Sequence, residues 1–144
     1  MSKIVKVAAL SLFAFSANNA LAATDSFNAT LEVKQAVTVT NSTDLDFGII
    51  TTDSGTDIVI AQADSGAATF AITGSTGSQV SVAISNTNLV NGANTIAAEF
   101  DFNPTLTLNA GTAELKVGGT ARVASATLAP GTYSATVPVE VTYQ

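Results

Sequence analysis

The sequence predicts an all-β fold, a sandwich of short antiparallel strands, from three features. Apolar and polar residues alternate with a period of two through most apolar runs, as strands with one buried face require. Clusters of Gly, Asn, Asp, Ser and Pro interrupt those runs about every 8 to 12 residues, the spacing of a sandwich or barrel. No segment carries the apolar spacing of an amphipathic helix.

The chain opens with Lys3 and Lys6, an apolar run over residues 7–15, and Ala20, Leu21 and Ala22, with small residues at both cleavage-determining positions. This is the three-part plan of a secretory signal, so residues 1–22 are expected to be removed on export. The apolar run is shorter than the roughly 20 residues of a transmembrane helix, and no later run approaches that length. Direct membrane insertion is therefore not expected. About 122 residues remain, enough for one domain with a sizeable core.

From 27 to 39 the odd positions read Phe27, Ala29, Leu31, Val33, Gln35, Val37 and Val39, against Asn28, Thr30, Glu32, Lys34, Ala36 and Thr38. The pattern runs about twice the usual strand length of 5 to 6 residues. The polar Gln35 on the apolar parity divides it, predicting one strand over residues 27–33 and a second over 36–40. Turn signals follow at Asn41-Ser42, Asp53-Ser54-Gly55, Asp64-Ser65-Gly66, Gly74-Ser75-Thr76-Gly77, Asn91-Gly92, Asn109-Ala110-Gly111, Gly118-Gly119 and Pro130-Gly131. Between them lie runs centred on Ile58 and Ile60, Phe70 and Ile72, Val80 to Ile84, Phe100 and Phe102, Leu106 and Leu108, and Leu115 and Val117.

The last run is the most regular. Tyr133, Ala135, Val137, Val139, Val141 and Tyr143 share one face, opposed by Ser134, Thr136, Pro138, Glu140 and Thr142. Only Gln144 follows, so this strand is expected at a sheet edge open to another molecule. Pro138 has no N–H to donate, which suits an edge or a bulge.

Composition removes whole classes of function. With the leader gone, Lys34, Lys116 and Arg122 face all eleven acids, a balance near −8 that repels nucleic acid and anionic lipid. Histidine, cysteine and tryptophan are absent, which excludes Ser-His-Asp and Cys-His catalysis, thiolate and imidazole metal sites, and disulfides. The Gly-rich turns lack a following lysine, so they are not phosphate loops. Asp53 and Asp57 flank Ser54-Gly55-Thr56 in the manner of a calcium loop, but Asp is equally a turn former and no EF-hand pattern is present. Glu99 and Asp101 alternate with Ala98, Phe100 and Phe102, which puts them on the solvent face of a strand rather than in a glycosidase pair. Asn28-Ala29-Thr30 and Asn41-Ser42-Thr43 match the glycosylation pattern. No catalytic, cofactor-binding or metal-binding residue is assigned, and no enzyme activity is expected.

Four features together, namely the leader, the alternating segment after it, Leu45-Asp46-Phe47-Gly48, and the closing Pro130-Gly131-Thr132-Tyr133 to Tyr143-Gln144, make the chain resemble chaperone-usher fimbrial subunits, the pilins. The resemblance implies an immunoglobulin-like sandwich that lacks its last strand. The gap would be filled first by a periplasmic chaperone and then by the N-terminal extension of the next copy, delivered through an outer-membrane usher to a surface fimbria. Carried onto this chain, residues 23–35 become the extension and residues 36–144 the sandwich. The donor side chains would be Phe27, Ala29, Leu31 and Val33. The acceptor groove and chaperone-binding strand would comprise Val137, Val139, Val141, Tyr143 and Gln144. The chain departs from the many pilins that carry a disulfide near the first strands, since it has no cysteine.

Burying Phe27, Leu31 and Val33 is worth about 1.5 to 3 kcal/mol each, together on the order of the 5 to 15 kcal/mol that stabilise a whole domain. A strand supplied from outside would thus decide whether the sandwich is stable. The alternative is that the same segment pairs within its own chain, giving a self-contained sandwich. The alternative function is accordingly a self-completed, monomeric secreted module for carbohydrate or calcium. Few aromatic residues are on hand for a sugar site: seven Phe and two Tyr, with Phe13 and Phe15 in the leader.

Overall fold

In the computed structural model, residues 23–144 are described, and the expected signal peptide at 1–22 lies outside them. Among the described residues nine strands form in chain order: β1 Thr38–Thr43, β2 Ile58–Ile60, β3 Ala68–Thr73, β4 Gln79–Ile84, β5 Thr87–Asn91, β6 Asn94–Phe102, β7 Thr105–Thr107, β8 Thr112–Ala121 and β9 Val139–Tyr143. The described residues contain no helix. One sheet runs β1-β3-β8-β6-β5 with β2 also on β8, and the other runs β7-β4-β9. Every strand pairing is antiparallel, and the two sheets make a β-sandwich. The all-β sandwich predicted from periodicity is therefore the fold observed.

The period-two pattern decides what goes inside. On β3, Ala68 and Ile72 are buried and Ala71 is exposed; on β4, Val80 and Val82 are buried and Ala83 is exposed. Ile72, Val80, Leu108 and Leu115 have no exposed surface and join Ala68, Val82 and Val117 in the main core. A second cluster gathers Ile96, Ala121 and Val123, with Phe47, Leu89 and Tyr133 packed on it. Gly118 and Gly119 let the strands flanking β8 come close: a Cβ at Gly119 would stand 2.9 Å from the carbonyl oxygen of Glu99.

Four expectations are corrected. Gly118-Gly119, expected as a turn, lies inside β8, which runs on to Ala121. Residues 23–37 form no strand, so neither the strand over 27–33 nor the start of the second at 36 is observed. The alternation is present, but a strand needs a ladder partner, and pairing with β3 begins only at Thr38. Asn41-Ser42 is no turn either: both residues lie inside β1, where the register shifts between Asn41 and Thr43 and the turn-forming residues are taken up as a bulge. The run from Tyr133 to Tyr143 is not one strand. Ser134 bridges Val90 on β5 in the first sheet, whereas β9, in the second sheet, begins only at Val139. Pro138 stands at the changeover, where a residue without an N–H interrupts no ladder.

One strand has no counterpart among the predicted runs. β5 precedes the Asn91-Gly92 turn and pairs with β6 from Thr87↔Ala98 to Asn91↔Asn94. Gly92 has φ of 59°, as the first central residue of a two-residue hairpin turn requires.

Candidate functional site: an open strand edge beside an apolar cleft

A cleft of about 880 Å³ opens between residues 44–52 and residues 128–139. Its first wall is the Leu45-Asp46-Phe47-Gly48 element. The Asp46 N–H donates to the Gly66 carbonyl at 2.9 Å, and the Asp46 carboxylate accepts the Gly48 N–H at 2.8 Å. Gly48 takes a φ of 80°, a left-handed conformation that glycine adopts without strain. These ties leave Leu45 and Phe47 half-buried against the core clusters, with Ile49 and Ile50 exposed beyond them.

The second wall is fixed by a separate set of bonds. The Asn91 side-chain amide donates to the Pro130 carbonyl at 3.2 Å, and the Ala129 N–H donates to Tyr133 Oη at 2.9 Å. Val90 and Ser134 exchange both backbone bonds, at 2.9 and 3.2 Å. The floor is apolar, formed by Phe70, Ile84, Ile96, Phe100 and Val117 among others, so the cleft touches members of both core clusters. The charges on its lining are those of Asp44 and Asp46.

β9 supplies the open edge. It is the last strand of the β7-β4-β9 sheet, paired with β4 from Val80↔Tyr143 to Ile84↔Val139 and with no described strand on its other side. Of the predicted acceptor residues, Val137 and Val139 line the cleft. Val141 and Tyr143 do not line it; they pack with Val37 against the closed part of the main core. Gln144 extends the β4 pairing, its N–H donating to the Gln79 carbonyl at 3.1 Å. Val137 also precedes β9 rather than belonging to it.

The predicted donor residues are strongly exposed. Phe27, Leu31 and Val33 have relative exposures of 89%, 88% and 83%, and Ala29 is exposed as well. No sequence signal singled out the floor at Phe70 and Phe100 as part of a groove. Leu45 and Phe47 were discoverable, because their alternation with Asp46 and Gly48 is itself a short period-two pattern.

The acidic residues have structural partners. Asp57 accepts from the Ala124 N–H at 3.0 Å and from Arg122 at 3.0 Å, and Asp53 accepts from the Thr51 hydroxyl. Among the described residues no group of three Asp or Glu is placed to hold a metal ion. Glu99 and Asp101 lie exposed on β6 as expected, bound by Arg122 and by the Gln62 amide.

Fold and site together define an antiparallel β-sandwich with one strand edge open beside an apolar cleft. A family model described as a domain of unknown function, DUF4402, matches residues 37–143, and the chain belongs to that family. A comparison with curated proteins finds no match.

Proposed function

We propose that this protein is a non-enzymatic structural subunit of a bacterial surface fimbria, built by strand exchange between copies to support adhesion or biofilm formation. The carrying observation is the edge of β9 beside the cleft, coupled with an apolar, alternating segment, neither of which has a further strand partner among the described residues. An open edge offers a row of backbone donors and acceptors, and the apolar cleft offers places for alternate side chains. Phe27, Ala29, Leu31 and Val33 supply such a set at the right period. The donor strand joins one copy's residues 24–34 to the next copy's cleft, and a contact of this head-to-tail kind grows into a filament instead of closing.

In this reading the exported chain meets a chaperone in the periplasm, which occupies the β9 edge until an usher in the outer membrane passes the subunit to the fibre. The resemblance to pilins supports that route, and the immunoglobulin-like topology belongs to the same proposal.

Deletion of residues 24–34 tests the reading. The shortened chain is expected to stop assembling and to bind a synthetic peptide of residues 24–34. Normal fibres from the shortened chain would rule out strand exchange by this segment.

A further inference from the structure

The root of the N-terminal segment is held by a closed ring of hydrogen bonds. The Gln35 N–H donates to Ser75 Oγ at 2.6 Å, the Ser75 N–H donates to Tyr143 Oη at 2.7 Å, and Tyr143 Oη donates to the Gln35 carbonyl at 2.6 Å. The Lys34 ammonium stands 5.2 Å from the centre of the Tyr143 ring, within range of a cation–π attraction. Gly74 is the residue that makes room, since a Cβ there would collide with the Tyr143 hydroxyl and lie 2.8 Å from Leu108. The ring joins the end of β9 in one sheet to the end of β3 in the other. Around it Ile72, Val80, Leu108 and Leu115 are fully buried, while the cleft lies toward Val139. One end of the sandwich is thus sealed and the other is open.

We infer that this Tyr143 clamp keeps the N-terminal segment from completing its own sandwich and so reserves it for a second copy. The inference rests on the strand-exchange reading above. Gln35 sits at the Tyr143 end of β9, so a chain folding straight back from it along β9 runs parallel to that strand. Residues 24–34 reach about 36 Å at roughly 3.3 Å per residue, enough to follow β9 and its approach once but not to pass the cleft and return antiparallel. Own-chain closure is therefore parallel, with Val33 beside Val141 and Leu31 beside Val139.

That arrangement needs the backbone groups of Gln35 for the ladder. Both are already committed, the N–H to Ser75 and the carbonyl to Tyr143. The Gln35 N–H has one hydrogen to donate, so the clamp and parallel self-closure compete for it. With the clamp made, Val33 leads outward and is 83% exposed. The segment of a second copy has no such restraint and is free to lie antiparallel, the somewhat more stable pairing.

Because the chain has no cysteine, disulfide trapping reads the outcome directly. In the full chain, the pair Leu31→Cys and Val139→Cys reports parallel self-closure as a cross-link within one molecule, while products joining two molecules report exchange. With the clamp intact, cross-links between molecules are expected to dominate. Tyr143→Phe removes two bonds of the ring, and Ser75→Ala removes the acceptor for Gln35 while leaving Tyr143 in the core. Each is expected to raise the within-molecule fraction about threefold to tenfold, as the loss of one or two hydrogen bonds implies. Should Tyr143→Phe fail to fold, Ser75→Ala carries the measurement.

A labelled peptide of residues 24–34 is added to the full chain in parallel. If the peptide is captured but neither substitution changes the fraction, the clamp inference falls and the groove reading stands. Failure to capture the peptide, with no cross-link of either kind, overturns both.

Discussion

Arg122 grips Glu99 through two N–H···O bonds, Nε to Oε1 at 3.2 Å and Nη2 to Oε2 at 2.7 Å, while its Nη1 reaches Asp57 at 3.0 Å. One guanidinium on the segment leaving β8 thereby ties β6 to the turn before β2. Arg122 holds the Glu99 carboxyl below the usual range, and the Ala124 N–H, followed by Arg122, does the same for Asp57. A carboxylate whose folded pKa is depressed stabilises the fold above its unfolded value of about 4, and the gain is lost as pH falls through the lowered folded value. Thermal unfolding should therefore occur at lower temperature as pH drops below about 4. Arg122→Gln should flatten that acid limb and cost only a few degrees at neutral pH, because all three groups are solvent-accessible and screened. Melting curves of both proteins between neutral and strongly acid pH check this.

The closed half of the core should dominate stability. Leu115 has no exposed surface and packs in the main cluster, so Leu115→Ala is expected to cost about 2 to 5 kcal/mol. Val59 on β2 is 65% exposed, and Val59→Ala should change stability by about 0.5 kcal/mol or less. Denaturant titration separates the two.

Gly118 should tolerate no side chain. A Cβ there would press on the Ile60 carbonyl and lie 2.9 Å from the Gln62 nitrogen, both backbone atoms that give way only if the strand shifts. Gly118→Ala is expected to destabilise by about 1 to 3 kcal/mol, measured by the same titration.

Leu31→Asp should separate assembly from folding. Leu31 is 88% exposed, so the fold should melt as before. If Leu31 enters a neighbour's cleft, losing its burial, worth about 1.5 to 3 kcal/mol, weakens the contact roughly tenfold to 150-fold. Sedimentation or light scattering of the assembling protein measures the change, and unchanged assembly would remove Leu31 from the interface.

Much of the sandwich was legible because a strand writes itself into sequence every second residue. The runs around Ile58, Ile72, Val82, Phe100, Leu106 and Leu115 each coincide with a strand. β5 escaped because Thr87, Leu89 and Asn91 are the half-buried residues of a polar strand, leaving too little apolar contrast to register. Asn41-Ser42 misled in the opposite sense, since turn chemistry also suits a bulge.

The candidate site divides along the same line. Alternation in Phe27, Ala29, Leu31 and Val33, and again in Val137, Val139, Val141 and Tyr143, was readable, whereas the change of sheet at Pro138 was not. The sequence by itself determined the fold class, the strand parity and the absence of imidazole and thiol chemistry, because these depend on residue type and local spacing alone. Tertiary structure decided which of the edge strands lies beside the cleft, where the run from Tyr133 changes sheets, and that Gln35 is pinned to Tyr143 and Ser75. Those outcomes depend on contacts between residues up to 108 positions apart, which no local period encodes.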